Sequence, residues 1–307
     1  MDSRLDPALP RAARARGIVD RRLFLAGAGA FGLVLATGCG GKGGGDAGGA
    51  RILGAAFATG TSEDAVLIPG IEQRAPLVLF DVDSGTPLRS NPPASIDVEL
   101  WFKGAKLSQS KLTVHQDEIS TPYYPLTVTL PEAGSYEVRA AFSELPVSFV
   151  ANPRDKVPLV QVGDPIRPVD TPTTANALGV NPICTRSPTQ CPLHTTSYAE
   201  VIKTKGPTAL LISTPGFCQT AVCGPVLELL LSERSNFPNI RMVHAEVYVD
   251  PQEYAAGKPN PRHTDAVKTY GLSYEPSLVI ANADGIVVSR LDFTWDRAEL
   301  RTALQKA

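Results

Sequence analysis

The run "TALLISTPGFCQTAVCGPVLELLLSE", residues 208–233, constrains this chain more than any other stretch. An apolar strand pattern passes through Pro215-Gly216 to two cysteines, Cys218 and Cys223, and on into an apolar helix pattern. A buried strand feeding a helix through a short loop is the elementary unit of an α/β layer. Its surroundings follow the same grammar. "TTSYAEVIKTKG" predicts a helix, with Ser197 in a capping position, Glu200 three residues on and Gly206 to close it. "NIRMVHAEVYVD" predicts a strand and "PRHTDAVKTYG" a short helix. "PSLVIANADGIVVSRLD" predicts a hairpin turning at Asp284-Gly285, and "WDRAELRTALQK" a last helix. With the helix "QTAVCGPVLELLLSE", the order is α-β-α-β-α-β-β-α. That predicts a three-layer α/β domain over 183–307.

The residues before it read differently. "PLVLFDVD", "SIDVELWFK", "KLTVHQ", "PLTVTL", "SYEVRAAF" and "PVSFVA" alternate with period two and are separated by "SGTP", "NPP" and "PEAG". Short strands at this spacing predict an all-β sandwich over 51–157. "AGSYEVRAAF" resembles the late-strand signature of immunoglobulin-like domains. The resemblance implies that Tyr136 hydrogen-bonds back across a corner. No Cys…Trp…Cys pattern is present, so an antibody-type domain is excluded. Trp101 is expected in the core, and the domain carries no chemistry, which suits a spacer or docking module. Residues 158–182 are proline-rich without periodicity and predict a semi-rigid linker.

Cysteine chemistry depends on compartment. Arg21-Arg22 precede an uncharged run, Leu23 to Gly38, too short and too rich in Gly and Ala for a strong membrane span. "RRLFL" resembles a twin-arginine export motif. "LATGC" resembles a bacterial lipobox, which implies an export signal over 1–38 and a diacylglycerol on Cys39. The glycine-rich segment 39–50 then serves as a tether. The expected location is the cell envelope, at the outer face of the cytoplasmic membrane. Net charge is −2, from 29 basic and 31 acidic residues, with no basic block beyond the signal, so nucleic acid is not an expected partner.

"YGLSYEPSLVIANADGIV" resembles the thioredoxin superfamily, in which a Pro before an apolar strand is cis and faces the active cysteine. The likeness covers 183–307 and includes the strand–cysteine–helix unit. It implies that Pro276 is that proline, that Phe217-Cys218 takes the place of the family's Trp-Cys, and that Phe217 covers the cysteine in a substrate groove. Cys218 would then lie at a helix N-terminus, where backbone N–H groups favour a thiolate and so a nucleophile. The resemblance implies a membrane-anchored thiol–disulfide oxidoreductase, with Cys218 as nucleophile, Cys223 as resolving thiol and extracytoplasmic protein thiols or disulfides as partners. No cofactor and no metal is assigned.

Two departures, and likenesses to two other groups of proteins, keep other readings open. The spacing is C-x-x-x-x-C rather than C-x-x-C. Positions five apart on a helix rise about 7.5 Å and turn about 140°, so a Cys218–Cys223 bridge needs either a looped first turn or an unwound one. Ile212 stands where thioredoxins carry a buried acid, which suits a non-catalytic binding module. "TPGFCQTAVCG" is also similar to one-domain peroxiredoxins of the bacterioferritin-comigratory type, with Cys223 resolving. But Leu211 and Pro215 occupy that family's Pro and Thr positions, and Glu275 falls near its arginine. Copper-handling proteins of the same fold add a distant histidine, for which His244 and His263 are candidates. Setting Cys39 aside, four cysteines in an exported chain suggest two bridges. "NPICTRSPTQCPLH" therefore predicts a structural disulfide between Cys184 and Cys191.

Overall fold

The computed structural model describes residues 50–60, 66–218 and 222–307. The expected export signal over 1–38, the expected lipid site Cys39 and the expected tether up to residue 49 lie outside the described residues. No described helix is long and apolar enough to cross a membrane. The described residues belong to one compact unit, in which two substructures follow one another along the chain.

The first is built of seven strands: β1 (Arg51–Ala55), β2 (Glu72–Asp81), β3 (Ser95–Phe102), β4 (Ala105–Thr113), β5 (Tyr124–Thr129), β6 (Gly134–Arg139) and β7 (Val147–Ala151). They form an antiparallel sheet β1-β2-β5 and an antiparallel sheet β4-β3-β6-β7. The period-two pattern appears as burial. Ile96, Val98, Leu100 and Phe102 of β3 point inward and are buried, because alternate side chains face opposite sides of a strand. That alternation turns Trp101 outward, against expectation. It is half-buried, with the Arg139 guanidinium 4.2 Å from its ring centroid and its Nε1 donating to Glu99. Tyr136 is fully buried, stacks on Phe102 and Phe149, and donates its hydroxyl to the Glu132 carbonyl at 2.7 Å.

The second substructure contains α1 (Tyr198–Val201), β8 (Thr208–Ile212), α2 (Cys223–Glu233), β9 (Arg241–Ala245), α3 (Pro251–Ala255), α4 (Asp265–Tyr270), β10 (Ser277–Ala281), β11 (Val287–Asp292) and α5 (Arg297–Leu304). Its sheet runs β11-β10-β8-β9, with β8 and β9 parallel and the other pairs antiparallel. Ala209, Leu211, Leu278 and Ile280 share a core with Val226, Leu227 and Leu230 of α2 and Leu300 of α5. Leu210, Ile212 and Val279 point to the opposite face and are 0% exposed, so the sheet is covered on both sides. This is an α/β arrangement, as the alternation of strand and helix patterns over 183–307 predicts. α1 is shorter than expected: it stops at Val201, beyond which the Arg241 guanidinium takes the carbonyls of Val201, Thr204 and Gly206, and the Ser197 hydroxyl does not cap its start. That hydroxyl instead contacts Asp170 and accepts from Thr171 N–H. The unforeseen α3 is capped by Asp250, which accepts from Gln252 N–H, with Pro251 at the first position.

The segment 158–182 carries no regular element, yet it is packed rather than loose. Leu159, Val160 and Gln161 are buried, and Gly163 and Ile166 donate to the carbonyls of Val287 and Gly285 at the closing hairpin. The two substructures also meet directly. Arg74 of β2 pairs with Glu299 of α5 at 2.5 Å and donates to the Asp292 carbonyl at 2.8 Å. His115 Nδ1 lies 2.9 Å from Asp296.

Candidate functional site

The loop after β8 brings Cys218 to the start of α2. Thr214, Pro215, Gly216 and Phe217 make a turn closed by Phe217 N–H donating to the Thr214 carbonyl. Gly216 presses on a neighbouring segment: a Cβ there would lie 2.8 Å from the Thr185 carbonyl oxygen, and its N–H donates to the Thr185 hydroxyl at 2.9 Å. Cys218 and Cys223 form a disulfide with Cα atoms 5.9 Å apart, inside the range a bridge can span. The first helical residue of α2 is Cys223.

Cys218 stands just outside the helix rather than within its first turn. The Cys223 N–H, one of the free donors of the helix start, points at Cys218 Sγ from 3.4 Å. An amide so placed favours a thiolate on Cys218 once the bridge opens. Cys218 and Phe217 are partly exposed, whereas Cys223 is 0% exposed. The pair thus has an accessible sulfur and a sealed one.

Behind the sealed sulfur lies Glu275. The Glu275–Pro276 peptide is cis, and Pro276 opens β10, whose Ser277 pairs with Ile212 of β8. This register sets Glu275 across from Thr214, whose N–H donates to Glu275 Oε2 at 2.6 Å. The same oxygen lies 3.5 Å from Cys223 Sγ. Glu275 Oε1 is buried with no hydrogen-bond partner among the described residues. Burial pushes this carboxyl up to about 8, opposed by the Thr214 hydrogen bond and aided by the nearby charge of Glu246. Ile212 supplies no acid, but Glu275, two residues before the neighbouring strand β10, brings a carboxyl to the pair. A lone Glu before a Pro gave no periodic or spacing signal for that role.

Cys184 and Cys191 correct the sequence reading. They are buried free thiols, not a disulfide. Their sulfurs turn instead toward two imidazoles. Cys191 Sγ is 3.5 Å and Cys184 Sγ 3.9 Å from His244 Nδ1, and His194 Nε2 is 3.1 Å from that same nitrogen. The four candidate ligand atoms lie within 4.8 Å of one another. The Cys191 thiol, then His194 and His244, hold the Cys184 thiol well below the ordinary thiol range against the effect of burial. Such a group can hold a metal, which the sequence reading had not assigned. His244 therefore serves Cys184 and Cys191, not the Cys218–Cys223 pair. His263 lies against Tyr248, with ring centroids 5.5 Å apart. The missed signal was the Cys191-x-x-His194 spacing. Its completion by His244 of β9 is a tertiary event.

The two groups adjoin. Thr185, next to Cys184, donates its N–H and hydroxyl to Glu246 at 2.6 and 3.0 Å and receives the Gly216 N–H. Burial is the main force pushing Glu246 up, to about 7.

No protein-family model and no curated protein matches this chain. Among solved structures, it is similar to the oxidised form of mitochondrial thioredoxin 3 from Saccharomyces cerevisiae, at 16% identity and a TM-score of 0.26, covering 35% of this chain and 85% of that one. It is also similar to the C-terminal domain of a candidate thiol-disulfide oxidoreductase from Bacteroides thetaiotaomicron, at 8% identity and a TM-score of 0.32, covering 48% of this chain and 98% of that one.

Proposed function

We infer that the chain exchanges disulfides with protein thiols outside the cytoplasm, with Cys218 meeting the substrate and Cys223 resolving. The observation that carries this reading is Glu275, a buried carboxyl set 3.5 Å from the sealed sulfur of the bridge. A bridge that serves only as a staple has no use for it. An unsatisfied buried polar group costs about 1–3 kcal/mol, and such groups, with perturbed proton affinity beside a reactive atom, concentrate at functional sites.

The chemistry follows from the positions. A substrate thiolate attacks Cys218 Sγ, the Cys218–Cys223 bond breaks, and its electron pair leaves on Cys223 Sγ. Glu275, protonated below about 8, gives its proton to that buried sulfur. A second substrate thiolate then attacks the substrate sulfur of the mixed disulfide, and Cys218 leaves as a thiolate facing the Cys223 N–H. Two electrons pass to the chain, and the substrate gains one disulfide. The two substrate protons go to solvent, which afterwards returns one to Glu275. Run backward, the Glu275 carboxylate takes the Cys223 proton so that this thiol can resolve.

The leader pattern supports the further reading that a lipid on Cys39 holds the body at the outer face of the cytoplasmic membrane. For the β substructure, the strand orders and the Tyr136–Glu132 bond support an immunoglobulin-like docking module or spacer.

Trapping tests the assignment of the two sulfurs. A Cys223→Ser chain should accumulate mixed disulfides through Cys218, and a Cys218→Ser chain should accumulate none. Equal capture by both would overturn the assignment of the two sulfurs, and capture by neither would leave the substructure a binding module.

A further inference from the structure

We propose that Cys184, Cys191, His194 and His244 form a closed tetrahedral site for one zinc ion. This site is separate from the exchange-active pair and independent of the function proposed for it.

The outward-facing nitrogens argue first. His194 Nδ1 lies 3.4 Å from the Pro172 carbonyl, and His244 Nε2 lies 3.1 Å from the Ser213 carbonyl and hydroxyl. A carbonyl only accepts, so each of these nitrogens carries the N–H. The neutral rings then turn bare lone pairs, His194 Nε2 and His244 Nδ1, toward each other at 3.1 Å. Two lone pairs at that distance repel unless a proton or a metal ion lies between them, and of the two only a metal ion also binds both sulfurs. Backbone acceptors on the outer nitrogen are also how proteins orient metal-binding imidazoles.

The spacing argues second. Metal–sulfur bonds of about 2.3 Å and metal–nitrogen bonds of about 2.0–2.1 Å set tetrahedral edges of about 3.6 Å for S–N and about 3.3 Å for N–N. The corresponding separations are 3.5 and 3.9 Å for S–N and 3.1 Å for N–N.

Charge and ligand type identify the ion. The four residues are 8%, 2%, 1% and 0% exposed, in the order Cys184, Cys191, His194 and His244. Two thiolates cannot be buried unpaired, and a dication cancels both. Tetrahedral S2N2 sets suit zinc, and four protein ligands leave no open position, as in structural rather than catalytic zinc sites. The ion would fix the 184–194 segment against β9. Through Thr185 it would support the Gly216 turn that leads to Cys218.

The purified full-length chain should contain about one zinc per molecule by elemental analysis. In the native state Cys184 and Cys191 should resist alkylation, and both should react after denaturation with a chelator. Replacement of zinc by cobalt(II) should give the intense visible bands of a four-coordinate ion. The thiolate-to-metal band should fall by about half in Cys191→Ser, since one of two thiolates is removed. His194→Asn should weaken cobalt affinity by at least about 100-fold, the upper end of what loss of an outer-sphere partner costs. Should either variant fail to fold, the unaltered chain decides alone. A metal-free chain, a weak six-coordinate cobalt spectrum, or a Cys184–Cys191 disulfide found by mass spectrometry would overturn the proposal.

Discussion

Glu275 sets one carboxyl oxygen 3.5 Å from the sulfur of Cys223, and that oxygen also accepts the Thr214 N–H at 2.6 Å. The carboxyl is held where a proton must arrive or depart when the Cys218–Cys223 bridge opens or closes.

The first prediction concerns that proton. Glu275→Gln preserves shape and the Thr214 bond but removes the exchangeable proton. General acid–base groups contribute about 10²–10⁴-fold. Dithiol exchange at pH 7 should therefore slow by about 100-fold, measured by stopped flow. The deficit should shrink well above pH 8, where Glu275 is ionised and no longer donates. An unchanged rate across the whole range would remove Glu275 from the chemistry.

Stability should follow the same group. Its folded proton affinity is raised, from an ordinary 4.5 to about 8, so the native state binds the proton more tightly than the unfolded chain. The linked stability is full below about 4.5 and is lost as pH rises toward about 8. Each unit of raised pKa corresponds to about 1.4 kcal/mol, so the oxidised chain should lose a few kcal/mol across this window. Glu246, also raised, to about 7, adds a slope of the same sign. Urea titrations at several pH values should show Glu275→Gln flattening the larger part of this dependence.

How far the sequence led is instructive at particular residues. The period-two runs and the strand–loop–helix unit are written in side-chain alternation, and the β sheets and the β8–α2 connection follow them closely. The Cys218–Cys223 bridge and the cis Glu275–Pro276 peptide fall in stretches that the sequence singles out, because both patterns are local. Cys184 and Cys191 were read as a bridge from proximity alone. Their true neighbour, His244, is about 50–60 residues away in sequence and arrives only when β9 pairs with β8. Glu275 was noticed only as a charge of the wrong sign for peroxide, because its contact with Cys223 depends on the β10–β8 register.

A third prediction concerns the joint between the substructures. Arg74 is nearly buried, with 11% of its side chain exposed and 15% of that of Glu299. Removing one partner of a buried pair costs about 3–5 kcal/mol. Arg74→Ala should lower the urea midpoint accordingly, with β and α/β signals still melting together. An unchanged midpoint with a single transition would show that the pair does not join them.

A fourth concerns anchoring. Cys39→Ser should move the chain from the membrane fraction to the soluble fraction after cell breakage. Undiminished membrane association would remove the lipid from the account.

The most direct test of exchange activity is the reduction potential of Cys218–Cys223. The chain is equilibrated in defined thiol–disulfide buffers, alkylated, and analysed by peptide mass. Structural bridges typically lie below about −300 mV, and exchange-active ones lie above it. A potential above about −300 mV is expected here, because the accessible sulfur faces the Cys223 N–H and the sealed one faces Glu275. A potential below that limit would contradict exchange and make the bridge a staple.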